Sequence, residues 1–446
     1  MTAGIRAGPV PDPQEPLVRL PDGTVKQVSP LTGTVVWTVP GRAGRPFSTP
    51  SGERRAIDPD RRDALCAFCP ARYLETPPEK ARLVRLPDGR WETLRDVQAR
   101  DLDATVADVR RVPNLFEILS VGYWRANHHH EAPVEACERA ARYLADPAGR
   151  AHALAVVERR LRAGGMSDAR WAAIGQDARL AHAADLFAGT HDVVVARRHV
   201  VDGARYEDEL AGAGTLTPDE HARYLAFTVD AMPSLYSAQP HARYVAAFQN
   251  WLRPAGASFD HLHKQLVAID EHGPRLEEVL ARTRRDPGLL GRVLAHAQAH
   301  GLVVAQDEHA VAVAGVGHRY PSLEVYSTST HHRPWEHTPA EVRGFSDVLH
   351  ALHAATGPAV PTNEEWHHRP VNVDDPLPWH VVLKWRVSTL AGFEGSTKIN
   401  VNTLDPVGLR DRVVAELLRL REAGLVAPLR VGDECAVGPG TLRYRG

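Results

Sequence analysis

The segment GASFDHLHKQLVAID, residues 256–270, decides the fold, because a turn of small residues leads into an alternating run typical of a β-strand. Within it, His261, His263 and Gln265 are spaced two residues apart. Residues two apart on a strand share one face, so two imidazoles and an amide are expected on the same surface. This arrangement suits a nucleophilic imidazole with one neighbour that positions it and another that binds the electrophile. A histidine-rich strand face with satisfied hydrogen bonds is the alternative.

The residues just before this strand favour the catalytic interpretation. Gly256, Ala257 and Ser258 are all small, and a turn of such residues allows backbone N–H groups to approach phosphate oxygens. A site for a phosphate-bearing substrate is therefore expected beside His263.

Composition limits the classes of protein to consider. The 446 residues suffice for two or three domains or for one large duplicated domain, and the formal charge of -2 gives no basis for binding nucleic acid or a membrane surface. The sequence has no basic-then-apolar leader and no apolar run of about 18 residues. We therefore expect a cytoplasmic protein that does not span a membrane.

Two of the four cysteines, Cys66 and Cys69, form a C-x-x-C pair. Four cysteines in so long a chain are no disulfide framework, and this spacing fits two thiolates on one zinc ion. Two further ligands would come from elsewhere, and His199, at the end of the strand-like DVVVARRH, is well placed. A redox pair and two structural thiols remain alternatives.

Two arginines, Arg42 and Arg45, lie in the segment GRAGRPF. Guanidinium groups on a loop rich in Gly and Pro can each make two hydrogen bonds to a phosphate or a carboxylate. Taken alone, arginines in such a segment are more often solvated surface charge.

The order of predicted elements suggests an internal duplication. Sequence rich in Ala, Arg and Leu from about 131 to 185 predicts two or three helices that form an insert. A strand, a helix that starts at Thr217 and a His-bearing strand then follow, and the second half repeats this order with a helix that starts at Thr338 and a strand that carries His380.

Together these segments resemble the galactose-1-phosphate uridylyltransferase family, the nucleotidyltransferase branch of the histidine-triad superfamily. The similar segments, in family order, are RAGRP, CAFCP, RRVPNLFEIL, HDVVVARRH, FQNWLRPAGASFDHLHKQ, WHVVLKW and GFEGSTKINVN. The resemblance implies an α+β fold, a duplicated histidine-triad-like fold of two half-barrel antiparallel sheets with flanking helices. Residues 1–300 would form the first repeat, with a helical insert at about 120–185, and residues 301–446 a second, degenerate repeat.

The resemblance also implies a role for each candidate residue. His263 would attack the α-phosphorus of a nucleoside-diphosphate sugar, with Gln265 as the second catalytic residue. The substrate-binding residues would be Arg42, Arg45, Asn114, Asn250 and Ser258. A structural Zn²⁺ would be held by Cys66, Cys69, His199 and His261.

The implied partners are a nucleotide sugar and a sugar phosphate or inorganic phosphate, as in galactose metabolism, and a homodimer is compatible with the resemblance. Alternatives are a phosphorylase of ADP-sugars or dinucleoside polyphosphates, a non-catalytic nucleotide-binding protein, and a hydrolase with an open zinc site.

Some residues depart from the family pattern. Leu262 and Lys264 replace the usual Pro and Gly, and Lys264 puts the substrate in doubt. In the second half, His380-x-Val382 stands opposite His261-x-His263, which removes a ligand of the second metal site of some members, so a second metal is not expected from Glu278, His367 or His368, and His380. The run His128-His129-His130-Glu131 is interpreted as a solvated loop, with metal binding as the alternative.

Overall fold

The computed structural model describes residues 11–12, 14–41, 54–389, 391–438 and 440–444. Arg42 and Arg45 lie outside these residues. In the described part of the chain, no helix combines the length and apolar character needed to cross a bilayer.

Sixteen strands are present among the described residues. They are β1 (Leu17–Arg19), β2 (Val25–Val28), β3 (Val35–Thr38), β4 (Ala81–Arg85), β5 (Trp91–Arg95), β6 (Ala107–Pro113), β7 (His191–Ala196), β8 (Tyr244–Trp251), β9 (His263–Ile269), β10 (Val303–Gln306), β11 (Ala310–Ala314), β12 (Ser322–Ser327), β13 (Thr362–His367), β14 (His380–Trp385), β15 (Ile399–Asn402) and β16 (Arg430–Val431).

The α-helices accompany these strands. They are α1 (Val121–His128), α2 (Val134–Ala145), α3 (Pro147–Ala163), α4 (Asp168–Ala173), α5 (Gln176–Asp185), α6 (Pro218–Ala238), α7 (Pro274–Arg285), α8 (Leu289–Ala299), α9 (Pro339–Thr356), α10 (Gly392–Thr397) and α11 (Pro406–Glu422).

Twelve strands form one sheet in the order β16-β10-β11-β12-β14-β13-β8-β9-β7-β6-β4-β5, and its neighbours pair antiparallel. The order is mirrored about the pair β8 and β13, since β8-β9-β7-β6 on one side matches β13-β14-β12-β11 on the other. The remaining four strands form a small sheet, β1-β2-β3-β15, in which β15 runs parallel to β3.

The two longest helices occupy equivalent places in the mirrored order. α6 connects β7 to β8, and α9 connects β12 to β13. Each begins with a capping box, in which Thr217 pairs with Glu220 and Thr338 with Glu341. The two helices pack against each other through His221 Nδ1 and the Ser346 hydroxyl, 2.7 Å apart.

These observations confirm the predicted class, an antiparallel sheet flanked by helices. The mirrored order is what a duplication would leave, but two half-barrels with a boundary at about residue 300 remain a prediction.

Helices α1–α5 lie between β6 and β7 and cover the predicted insert. They enclose an apolar cluster of their own, which includes Tyr143, Val156, Trp171 and Phe187. The chain leaves and re-enters the sheet at neighbouring positions, because Pro113 at the end of β6 pairs with Asp192 near the start of β7.

Candidate active site

Four side chains from three separate parts of the sequence meet beside the end of β7 and the start of β9. Cys66 and Cys69 flank a tight turn in which the Cys69 N–H donates to the Cys66 carbonyl at 3.0 Å. His199 follows β7, and His261 precedes β9. Among the described residues, these four form the one group of His, Cys, Asp or Glu side chains with metal-binding spacing, and their ligand atoms lie within 4.8 Å of one another.

The distances in this cluster fit a tetrahedral zinc ion. The two sulfurs are 3.8 Å apart, Cys66 Sγ is 3.5 Å from His261 Nδ1, and Cys69 Sγ is 3.4 Å from His199 Nδ1. Zinc bonds of about 2.3 Å to sulfur and 2.0 Å to nitrogen require edges of about 3.8 Å between sulfurs and about 3.5 Å between sulfur and nitrogen. The four residues present therefore suit a closed Cys2His2 site.

The surroundings favour a thiolate at Cys69 and fix the His261 ring. A hydrogen bond with Cys66, and then those with His199 and His261, hold the pKa of the Cys69 thiol well below its usual range. The Nε2–H of His261 donates to the carbonyl oxygen of Ala196 at 2.7 Å, which leaves Nδ1 with a lone pair available to a metal ion.

His263 is oriented by its own backbone. Its Nδ1–H donates to the carbonyl oxygen of His261 at 2.7 Å, so Nε2 carries the free lone pair. Burial lowers the pKa of His263 to about 4, which keeps the imidazole neutral near pH 7. The ring of Phe68, from the Cys-x-x-Cys turn, packs edge-on with its centroid 5.2 Å from that of His263.

Gln265 is held by His191, at the start of β7, and by Asn114, just after β6. His191 Nδ1 accepts from the N–H of Ile118 at 3.2 Å, so its Nε2 carries the proton and donates to Gln265 Oε1 at 2.9 Å. Asn114 Nδ2 lies 3.4 Å from the same oxygen. With its oxygen engaged, Gln265 presents its amide N–H groups as donors. His191 is buried, and this burial lowers its pKa and keeps it neutral.

Apolar side chains lie exposed beside Asn114. Phe116 is 59% exposed and Ile118 is 63% exposed, in the loop that joins β6 to the insert. Large exposed apolar side chains next to a polar site are typical of a ligand surface. The predicted nucleoside-binding residue Asn114 thus lies next to both Gln265 and an apolar platform.

Of the remaining predicted residues that the structure describes, Asn250 lies on β8 and Ser258 on the loop that follows it. Asn250 is near the end of β8, two residues beyond Phe248, which pairs with Gln265. Leu252 has φ 66° and ψ 154°, a conformation that glycine adopts far more readily, and strain of this kind is common at ligand sites. Ser258 is exposed and lines a cleft of about 830 Å³ together with Cys66, His199 and Arg253.

The position of Lys264 corrects the expectation that it affects the substrate. Its side chain is fully buried on the opposite face of β9, and Nζ lies 2.5 Å from Glu364 and 3.1 Å from Gln249. Lys264 therefore stabilises the core between the two halves and does not face the candidate site.

The second half places His380 differently from the motif alignment. His380 is the first residue of β14, as His263 is of β9, and its Nδ1 donates to the carbonyl two residues earlier, that of Pro378, at 3.0 Å. His380 thus has the geometry of His263, and the alignment of His380 with His261 is wrong in register. A narrow cavity of about 40 Å³ lies beside it, lined partly by His318 and Glu324.

The remaining candidate metal ligands have other partners. Glu278 binds Arg282 at 2.6 Å, and both ring nitrogens of His368 lie near backbone carbonyls. His128 ends α1 and lies 2.7 Å from Asp270, so the histidine run is partly anchored and is not a wholly solvated loop.

Sequence reasoning missed His191. A single histidine at the start of a buried strand has no distinctive spacing, and its importance appears only when Gln265 lies beside it.

Comparison with solved structures gives the class of fold. The chain is similar to an ADP-glucose phosphorylase from Arabidopsis thaliana with bound ADP-glucose, with a TM-score of 0.57, 18% identity and coverage of 87% of this chain and 97% of that one. A galT-like protein from Arabidopsis thaliana has a TM-score of 0.54, 18% identity and the same coverages, 87% and 97%. These similarities confirm the fold that the motifs predict.

At the level of sequence, the chain belongs to the family described as domain of unknown function DUF4921, whose model matches residues 20–444. No curated protein matches the sequence.

Proposed function

We propose that the protein is a nucleotidyltransferase that acts on a nucleoside-diphosphate sugar through a nucleotidyl-histidine intermediate. The observation that carries the proposal is the geometry of His263, whose Nδ1 is fixed by the His261 carbonyl at 2.7 Å while Nε2 remains available. A neutral imidazole held in one tautomer next to an amide donor is suited to in-line attack on phosphorus.

The reaction proceeds in two displacements. His263 Nε2 attacks the α-phosphorus, a P–N bond forms, and the bond from that phosphorus to the bridging oxygen breaks to release a sugar phosphate. An oxygen of the second phosphate-bearing substrate then attacks the same phosphorus and the P–N bond breaks. Gln265 donates its amide N–H groups to the phosphoryl oxygens as charge develops on them.

The metal cluster would have a structural role and would not take part in the reaction itself. Zinc, when bound by Cys66, Cys69, His199 and His261, supplies a structural link and not an open coordination position, because four protein ligands complete its shell. Since the His261 carbonyl positions His263, a fixed His261 also fixes the nucleophile. The four-ligand geometry favours this role over a hydrolase with an open zinc site.

Exposed Ser258 supports a phosphoryl-binding role for the turn at 256–258, and Asn114 with Phe116 supports a nucleoside site. Arg42 and Arg45 remain proposed phosphate ligands from the resemblance alone. Inorganic phosphate in place of a sugar phosphate is the second candidate acceptor, and it is favoured by the ADP-glucose phosphorylase among the similar structures.

Intact-protein mass spectrometry after incubation with UDP-glucose, ADP-glucose or diadenosine tetraphosphate tests the proposal. We expect an acid-labile adduct of one nucleoside monophosphate on the wild type and none on His263→Ala. Addition of glucose 1-phosphate or inorganic phosphate to the isolated adduct identifies the acceptor by the product released. Nucleotide binding by both proteins without an adduct from any donor would indicate a non-catalytic binding protein.

A further inference from the structure

The second half of the chain contributes a buried amide to the candidate active site. Asn363 lies on β13 directly opposite Asn250 on β8 in the register of the two strands. Its side chain is 8% exposed, and Arg386, just after β14, donates from Nη1 to Asn363 Oδ1 at 2.5 Å.

This contact determines which way the Asn363 amide faces. A guanidinium group has donors only, so the atom that faces Arg386 must be the carbonyl oxygen of the amide. Nδ2 then points to the other side, where it donates to Asn250 Oδ1 at 2.7 Å and to the carbonyl oxygen of Ala255 at 2.7 Å.

The orientation of Asn250 follows from that of Asn363. Because Asn250 Oδ1 accepts from Asn363, its own Nδ2 must face away, and this nitrogen lies 3.9 Å from where a Cβ on Gly256 would stand. No hydrogen bond to another described residue occupies it. It is thus a donor directed at the small-residue turn before Ser258.

The same amide fixes the loop that carries this turn. Leu252, in its strained conformation, accepts at its carbonyl from the N–H groups of Ala255 at 3.0 Å and Ala257 at 3.3 Å. The Ala255 carbonyl is in turn bound by Asn363. One buried side chain from the second half therefore holds both Asn250 and the loop of residues 252–258.

We propose that Asn363, fixed by Arg386, is a positioning residue that directs the Asn250 amide and the 252–258 loop toward the phosphoryl group of the substrate. The binding of a phosphoryl group at this place rests on the proposed function, whereas the orientation of the Asn250 amide does not. The second half is then part of the catalytic unit, because it supplies the residue that orders phosphoryl-binding groups of the first.

Asn363→Asp is the matched variant. It keeps the shape of the side chain and gains an ion pair with Arg386, but it has no donor for Asn250 or Ala255. We expect zinc content and unfolding midpoint like those of the wild type, and a rate of adduct formation at His263 about 10- to 100-fold lower at saturating donor, with little change in donor affinity. Asn127→Asp, on exposed helix α1, is the control and should leave the rate unchanged.

Crystal structures of wild type and Asn363→Asp separate this inference from the proposed function. If the wild type forms no adduct, the proposed function fails, and the structures alone decide the positioning role: a rotated Asn250 amide with a displaced 252–258 loop supports it, and an unmoved pair overturns it. If the wild type forms an adduct and the variant does so equally fast, the inference is wrong. Asn363→Ala, which removes both amide N–H groups without adding charge or a hydroxyl donor, replaces the variant if Asn363→Asp does not fold.

Discussion

Lys264 and Glu364 form an ion pair with 2.5 Å between Nζ and Oε1, and neither side chain is exposed to solvent. It joins β9 of the first half to β13 of the second. The carboxylate also accepts from Trp366 Nε1 at 2.5 Å and lies 2.7 Å from His353 Nε2. Although burial alone would raise the pKa of Glu364, the ammonium of Lys264 and the contact with His353 hold it below its usual range.

Lys264→Met should therefore destabilise the protein strongly. The substitution leaves the Glu364 carboxylate buried without its cation, which typically costs about 3–5 kcal/mol in the free energy of unfolding. Urea unfolding of the purified variant measures this loss. The double variant Lys264→Met with Glu364→Gln should recover much of the stability, and a single variant as stable as the wild type would contradict the structural role.

Cys66→Ala should remove the metal and disturb the nucleophile together. With three ligands left, we expect bound zinc to fall from about one ion per chain to a small fraction, with a lower melting temperature and no adduct at His263. Metal analysis and thermal unfolding measure the first two effects. Cys137→Ala, at an exposed cysteine, is the control, and equal zinc content in both variants would disprove the Cys2His2 assignment.

His191→Leu should slow adduct formation while leaving the metal site intact. Without the donor at Nε2, only the longer contact with Asn114 at 3.4 Å restrains the Gln265 amide, so its N–H groups are held less firmly in one direction, and we expect a rate about 10- to 100-fold lower. Quenched-flow mass spectrometry measures the rate, and zinc content checks the fold. If Gln265→Ala is slow but His191→Leu is as fast as the wild type, His191 does not position Gln265.

Glu117→Gln should change how stability depends on pH. Burial raises the pKa of Glu117 to about 7, whereas the unfolded chain has a value near 4.5, so the native state binds more protons between these values. The contribution of Glu117 to stability is thus present below about pH 4.5 and is lost as the pH rises to about 7.

Because glutamine remains neutral, Glu117→Gln should exceed the wild type in stability by about 3 kcal/mol at pH 8 and approach it at pH 4.5. Urea unfolding at a series of pH values measures the difference. Glu92→Gln, at an exposed position on β5, should show no such pH-dependent difference. If the free energies of unfolding of Glu117→Gln and the wild type differ by the same amount at every pH, Glu117 has the same pKa in the folded and unfolded chain.

The sequence predicts features that depend on local spacing. The Cys66-x-x-Cys69 pair, the two-residue spacing of His261 and His263, and the capped starts of α6 and α9 all follow from neighbouring residues. The contacts of Asn363 do not, because its partner Asn250 is 113 residues away and the register of β8 against β13 brings them together. The alternation of β9 places Lys264 on the face opposite His263, but its counterion Glu364 is 100 residues away, and only tertiary packing brings the two side chains together.

The connection between β6 and β7 has a further consequence. Because the insert leaves at Pro113 and returns at Asp192, paired across two adjacent strands, a segment of any length can be accommodated there without shifting the sheet's register. The fold can therefore vary in size at this position while the histidine-bearing strand and its neighbours stay in place. Among relatives, the length of the chain should then vary most at this connection between β6 and β7.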